Sequence, residues 1–205
     1  DVYKRQYFRS SKIKEGYPSC NGMRKLALLI CICIVLCGLS DRAYAQVHWP
    51  WFEDPSGHFA VRLPDGAQTT ADTVATDLGA LEYITHAAIS MGNDGNEARY
   101  AVNYCDYPEG IFHRDSIELI NAFLDATVEA LIANTHGEVL YRDEVEVFAY
   151  PARIWKVAID GGAREIKNKA ELVGRRFYSL QSIAPAQASA QKDVDRFFNS
   201  FKLIL

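Results

Sequence analysis

The sequence predicts an α+β fold, an antiparallel β-sheet of about six to eight strands with one long helix and a short C-terminal helix packed on it. Three observations predict it. Runs with strand alternation are joined by short Gly, Pro, Asn and Asp turns, which suit neighbouring antiparallel strands. One long stretch, residues 115–136, carries apolar side chains at helical spacing. A shorter stretch near the C-terminus does the same with Val194, Phe197, Phe198 and Phe201.

Along the chain, Trp49-Pro50-Trp51-Phe52 is an aromatic segment expected to pack on its own domain, and Pro55-Ser56-Gly57 is a turn signal. Phe59, Val61 and Leu63 alternate with Ala60 and Arg62, a half-buried strand stopped by Pro64-Asp65-Gly66. Thr69 to Thr76 is polar and β-branched, as an exposed strand would be. After Asp77-Leu78-Gly79, strands are expected over 81–91 and 99–107, separated by Gly92-Asn93-Asp94-Gly95-Asn96. The long helix is expected to start at Asp115, whose spacing to Glu118 fits a capping box. Ile117, Ile120, Leu124, Val128 and Leu131 share one face, which should be buried, and Gly137 is a natural stop. Four strands follow. Val139, Tyr141, Val145 and Val147 lie opposite Glu138, Arg142, Glu144 and Glu146; Arg153 to Ala158 then carries Trp155 and ends at Gly161-Gly162. Ile166, Ala170 and Leu172 oppose Glu165, Lys167, Lys169 and Glu171, the pattern of a strand with one wet face. Val173-Gly174 turns the chain into a strand over 175–183, and the closing helix begins near Ser189.

Ahead of this domain, Met23-Arg24-Lys25, an uncharged run from Leu26 to Leu39 and the small-x-small triplet Ala43-Tyr44-Ala45 have the order of a secretory signal peptide. That run is 14 residues long, short of the roughly 20 that span a bilayer. Cleavage after Ala45 would make Gln46 the first mature residue. Cys37 raises the alternative of lipidation, against which stand Leu36 before it and the processing site just downstream. Residues 1–22 contain no methionine, and Asp1-Val2-Tyr3-Lys4-Arg5-Gln6 reads as the translation of a transposon-end adapter. They are expected to be adapter and upstream sequence, leaving 46–205 as a single domain in the periplasm or outside the cell.

That segment holds 14 Lys and Arg against 23 Asp and Glu, a balance of −9, where the whole chain has −4. So acidic a domain is a poor nucleic-acid binder, which needs a dominant positive field to displace phosphate counterions. The charge is uneven: residues 46–146 balance to −14 and residues 147–205 to +5. Only Cys105 remains of five cysteines, because Cys20, Cys31, Cys33 and Cys37 precede the cut. An internal disulfide is therefore excluded, and an apolar, aromatic neighbourhood makes Cys105 a small buried hydrophobe.

Four segments resemble the PsbP-like superfamily, which includes the Ran-binding Mog proteins and DcrB-like envelope proteins. They are residues 52–64, containing Gly57-His58-Phe59-Ala60-Val61; Tyr104-Cys105-Asp106-Tyr107-Pro108; Gly174-Arg175-Arg176-Phe177-Tyr178-Ser179-Leu180; and Phe197-Phe198-Asn199-Ser200-Phe201. The resemblance implies an αβα sandwich and a non-catalytic binding or assembly role, without an active site. The chain departs from the family at Tyr150-Pro151-Ala152, where Pro-Gly is common.

Motifs with chemistry are sparse. His113-Arg114-Asp115-Ser116 joins an imidazole, a carboxylate and a hydroxyl at a helix start, but neighbours there point apart and no Gly-x-Ser-x-Gly elbow exists. Helix capping is the reading adopted. The histidines His48, His58, His86, His113 and His136 never pair at an i, i+4 spacing or cluster with cysteine, so no metal is expected. Neither is a cofactor, since no glycine-rich phosphate loop appears.

The candidate binding residues are basic. Arg153, Lys156, Lys167, Lys169, Arg175 and Arg176, with Arg164, oppose only Asp160, Glu165 and Glu171 between 153 and 176. One reading is a set of solvated strand edges, where lysine discourages sheet-to-sheet pairing. The other is a docking surface for an acidic envelope protein or an anionic ligand such as a lipid head group. Lys167 and Lys169 share a face expected to be wet, so reversing both charges should leave stability nearly unchanged. The functional expectation is an exported, non-catalytic binding or assembly domain. A carrier of a small apolar or lipid ligand, with a cavity lined by Phe123, Tyr104 and Trp155, is the second reading. An undetected hydrolase is the third.

Overall fold

The computed structural model describes residues 49–76, 78–92, 95–113, 115–147 and 149–204, with backbone alone at 188 and 189. The expected leader, its cut after Ala45, the segment before Met23, His48 and the cysteines other than Cys105 lie outside the described residues.

Strands β3 (Gln68–Thr76), β4 (Gly79–Met91), β5 (Glu97–Asp106), β6 (Glu138–Val147), β7 (Tyr150–Ile159), β8 (Arg164–Val173) and β9 (Arg176–Pro185) form one seven-stranded sheet. Its order is β3-β4-β5-β9-β8-β7-β6, and every pairing is antiparallel. After β5 the chain runs through helix α1 (Ile117–Thr135) to the far edge and returns strand by strand, so β9 pairs with β5. A second, three-stranded sheet joins β1 (Trp51–Asp54), β2 (Phe59–Arg62) and β10 (Lys202–Leu203), with helix α2 (Ala188–Ser200) leading into β10. One sheet was the expectation. Phe59, Ala60 and Val61 are all fully buried, so both faces of β2 are covered, which the half-buried alternation did not anticipate.

Side chains along β5 and β9 alternate between two cores on opposite faces of the large sheet. One core joins Tyr100, Val102, Tyr178 and Leu180 to Phe59 and Val61 of the small sheet and to Phe197 and Phe198 of α2. The other joins Cys105, Trp155, Leu172 and Phe177 to Ile120, Leu124 and Val128 of α1. Trp49 lies in the first core, edge-on to Tyr100, whereas Trp51 stays half exposed beneath Arg62 and Lys202. Cys105 is buried, and burial pushes its thiol up. No helix among the described residues is long and apolar enough to cross a membrane.

Local departures from expectation have physical reasons. The α1 cap position is Ser116 rather than Asp115, and no side chain caps there. Ile117 is 47% exposed, because it faces an open cleft shared with Ala149, Pro151 and Gly174 rather than a packed core. The left-handed residue ending α1 is His136, at φ 51°. Gly137 is required for another reason, since a Cβ there would strike Ala158 O and Val157 Cγ1. A register shift between Val139 and Tyr141 breaks the alternation of β6 and leaves Val139 exposed. The expected wet face of β8 is covered: Glu171 is 1% exposed, and Lys167 and Lys169 lie over the rings of Phe198 and Phe201.

Candidate functional site

Strand pairing separates the six basic candidates. Arg153 shares the α1 face with Trp155 and Val157 and is 1% exposed. Its guanidinium donates to Asp125 Oδ1 at 2.8 Å, Asn121 Oδ1 at 3.1 Å and Ala152 O at 3.2 Å. A buried guanidinium whose donors are taken up by its own fold is a structural tie between β7 and α1. Lys156, Lys167 and Lys169 occupy the opposite face, and each is matched. Lys156 Nζ donates to Glu165 Oε2 at 2.8 Å and Gln191 Oε1 at 3.0 Å, and Lys167 Nζ to Asp195 Oδ1 at 2.9 Å. Lys169 Nζ stands 2.8 Å from Glu171 Oε2, close as a charge but not aligned as a hydrogen bond. The six therefore do not form one open patch.

Arg175 and Arg176 remain together. Arg176 forms a two-pronged pair with Asp106, Nε to Oδ1 and Nη2 to Oδ2, both 2.7 Å, and donates from Nη1 to Ser56 O at 2.6 Å. Its guanidinium also lies 4.9 Å from the Tyr104 ring centre. Arg175, in the β8–β9 turn, donates to Tyr107 O at 3.3 Å, approaches Asp106 Oδ2 only to 4.0 Å, and leaves half its side chain in solvent. Hydrogen bonding from Arg176 outweighs burial and holds the Asp106 carboxyl below the usual range, with the charges of Arg175 and His58 adding to it. Two guanidiniums thus share one carboxylate, a local surplus of positive charge.

These residues surround a cleft of about 250 Å³ lined by His58, Asp106, Val173, Arg175, Arg176, Tyr178 and Leu203. Its wall is fixed from several sides. Tyr178 Oη donates to Gly57 O at 2.7 Å, and Ile204 N donates to His58 O at 2.8 Å, which holds the turn carrying His58 at φ 54°. A rigid wall with one half-exposed guanidinium, held only by a long bond to Tyr107 O and a distant carboxylate, can receive an anion without reordering itself first.

A second cleft of about 290 Å³ lies across the same β8–β9 turn, against the first turn of α1. It is lined by Ile117, Ile120, Ala149, Pro151, Leu172, Gly174 and Tyr150, with His113 and Asp115 among its polar members. The expected cavity lined by Phe123, Tyr104 and Trp155 does not form, because Tyr104 and Trp155 lie on opposite faces of the large sheet. Trp155 is fully buried under α1 and Tyr104 is in the opposite core, while Phe123 packs edge-on to Tyr107 and Phe177.

His113 and Ser116 meet through backbone, Ser116 N–H donating to His113 O at 2.9 Å, as a turn leading into the helix. Sequence reasoning missed a different polar line. His86 Nε2 lies 2.8 Å from Asp54 Oδ2 and its Nδ1 lies 2.8 Å from Thr69 Oγ1, so three strands contribute to one buried imidazole. Phe52, Phe59 and Tyr104 pack around this ring, and neither cleft includes it. It clasps β1 to the edge of the large sheet. The opposition of Thr69 and His86 on β3 and β4 was the only sequence signal for it, and that requires the register. Among the described residues no cluster of His, Cys, Asp and Glu has the makings of a metal site.

In fold the chain is similar to the solution structure of cyanobacterial PsbP (CyanoP) from Synechocystis sp. PCC 6803, with a TM-score of 0.48 and 10% identity over 78% of this chain and 95% of that one. No family model matches the sequence, and no curated protein does.

Proposed function

We propose that this chain is an exported, non-catalytic binding or assembly domain that docks an anionic group of an envelope partner at Arg175. The observation that carries it is the cleft walled by Arg175, Arg176 and His58, in which Arg176 is locked by Asp106 while Arg175 stays half exposed. The leader pattern from Met23 to Ala45 supports export, with Gln46 as the mature start. Turns crowd this end of the large sheet, where loop residues held by a rigid scaffold commonly do the binding. Lys156, Lys167 and Lys169 contribute less to docking, since each already faces a carboxylate.

The test is capture of partners from an envelope extract by the mature chain, whose N-terminus intact mass should place at Gln46. Arg175→Glu should weaken capture at unchanged melting temperature, and wild-type capture should fall as salt rises, because exposed charges are screened. Capture indifferent to both the substitution and salt would remove Arg175 from the interface.

A further inference from the structure

Resting on that reading and deepening it, we propose that the two clefts act as one site for a small amphipathic carboxylate. Its acid group would be held by Arg175 and its single apolar chain or ring would lie in the cleft under α1.

The apolar cleft begins with a packing defect. Ile117 belongs to the stripe whose next members, Ile120, Leu124 and Val128, are buried, yet it is 47% exposed. Opposite it stand residues of small or fixed shape, Ala149, Pro151 and Gly174, which leave about 290 Å³ unfilled. Ala149 moreover sits at φ 65°, in the left-handed region that a residue with a Cβ disfavours. An apolar helix face left without its partner, beside a strained turn, suits an apolar occupant. The volume limits what that is. Pockets for drug-sized ligands begin at roughly 300 Å³, so a single short chain or one ring fits and a two-chain lipid does not.

Charge decides which end goes where. Asp115 lies at the apolar cleft and disfavours an anion there. Arg175 lies on the other side of the turn with its guanidinium half in solvent. The shared wall is Val173-Gly174-Arg175, whose members line one cleft or the other. Gly174, at φ 63°, has open space where a Cβ would stand, so it adds no side chain of its own between the two clefts.

The experiment is a titration of the folded chain with octanoate, acetate, octanol and octylamine, followed by amide shifts and calorimetry. Octanoate should bind about tenfold or more tighter than acetate, because several methylenes leave water. It should shift the amides of Ile117, Gly174 and Arg175 together. Ile117→Glu, at an exposed position that leaves the fold intact, should reduce octanoate to the level of acetate. Arg175→Gln should bring octanoate down to octanol. Octanoate no tighter than acetate, with an Arg175-dependent acetate response retained, would overturn this inference and leave the anion-docking reading standing. Octylamine binding as well as octanoate would overturn the assigned polarity, and no Arg175-dependent response to any probe would overturn both.

Discussion

Glu171 carries a charge to a place that water does not reach. It is 1% exposed, its nearest cation is Lys169 Nζ at 2.8 Å, and neither carboxylate oxygen accepts a well-aligned hydrogen bond. A buried pair of this kind contributes little net stability, yet removing one partner is costly because the other charge is left alone. Lys169→Met should therefore destabilise the chain by about 3–5 kcal/mol in urea titrations. The double substitution Lys169→Met with Glu171→Leu should recover most of that. Equal losses from the single and the double variant would contradict the pairing. The same geometry revises the expectation that reversing Lys167 and Lys169 together would be nearly silent, since it would set two new carboxylates against Asp195 and Glu171. Period-two spacing put these side chains on one face correctly. Nothing within β8 could reveal that α2, further along the chain, covers that face. The clasp of His86 by Asp54 and Thr69 was hidden for the same reason, its members coming from β1, β3 and β4.

Helix α1 shows what an element's own sequence can convey. Apolar spacing located its buried face, and Ile120, Leu124 and Val128 are buried against the sheet. Its ends were less legible, because a cap depends on backbone angles rather than on residue type. Asp115 and Glu118 have capping-box spacing, yet the cap position falls to Ser116, at φ −88° and ψ 50°, whose carbonyl accepts from Ile120 N–H while no side chain caps the first amides. Ile117 matched the stripe and is still half exposed, since the residues facing it across the cleft, Ala149, Pro151 and Gly174, are too small or too fixed in shape to fill the space. Leu124, fully buried at the centre of the contact, is the position that tests the packing. Leu124→Asp would place an unpaired charge between helix and sheet and should cost on the order of 3 kcal/mol or more. A soluble variant with the wild-type melting temperature would contradict the placement of α1.

At the scale of the whole molecule, part of the charge asymmetry of the sequence is taken up by ties between its two parts. The acidic first part supplies Asp106 to Arg176 and Asp125 to Arg153, so basic residues counted as a surface patch become ties between distant segments. Arg142 adds a second bond to Asp125 and another to Glu129. The count of charges was correct from sequence alone, but whether a charge is spent or free is decided by pairing across 28 and 70 positions of chain. Acid should expose this dependence. Hydrogen bonding from Arg176 holds Asp106 below the usual carboxylate range, and that from Arg153 does the same for Asp125. Burial alone would push Asp54 up, but hydrogen bonds from Gly57 N–H and His86 outweigh it and leave it lowered as well. All three thus titrate lower when folded than when unfolded, where an aspartate lies at about 3.9. The unfolded chain accordingly binds more protons near pH 4. Stability from these groups is fully present above the unfolded value and lost as pH falls through the folded values. Urea midpoints should therefore hold near neutrality and decline below about pH 5. Replacing Asp54, Asp106 and Asp125 by Asn should lower the midpoint at pH 7 and flatten the acid decline. An acid decline of unchanged steepness in that triple variant would assign the effect to other carboxylates.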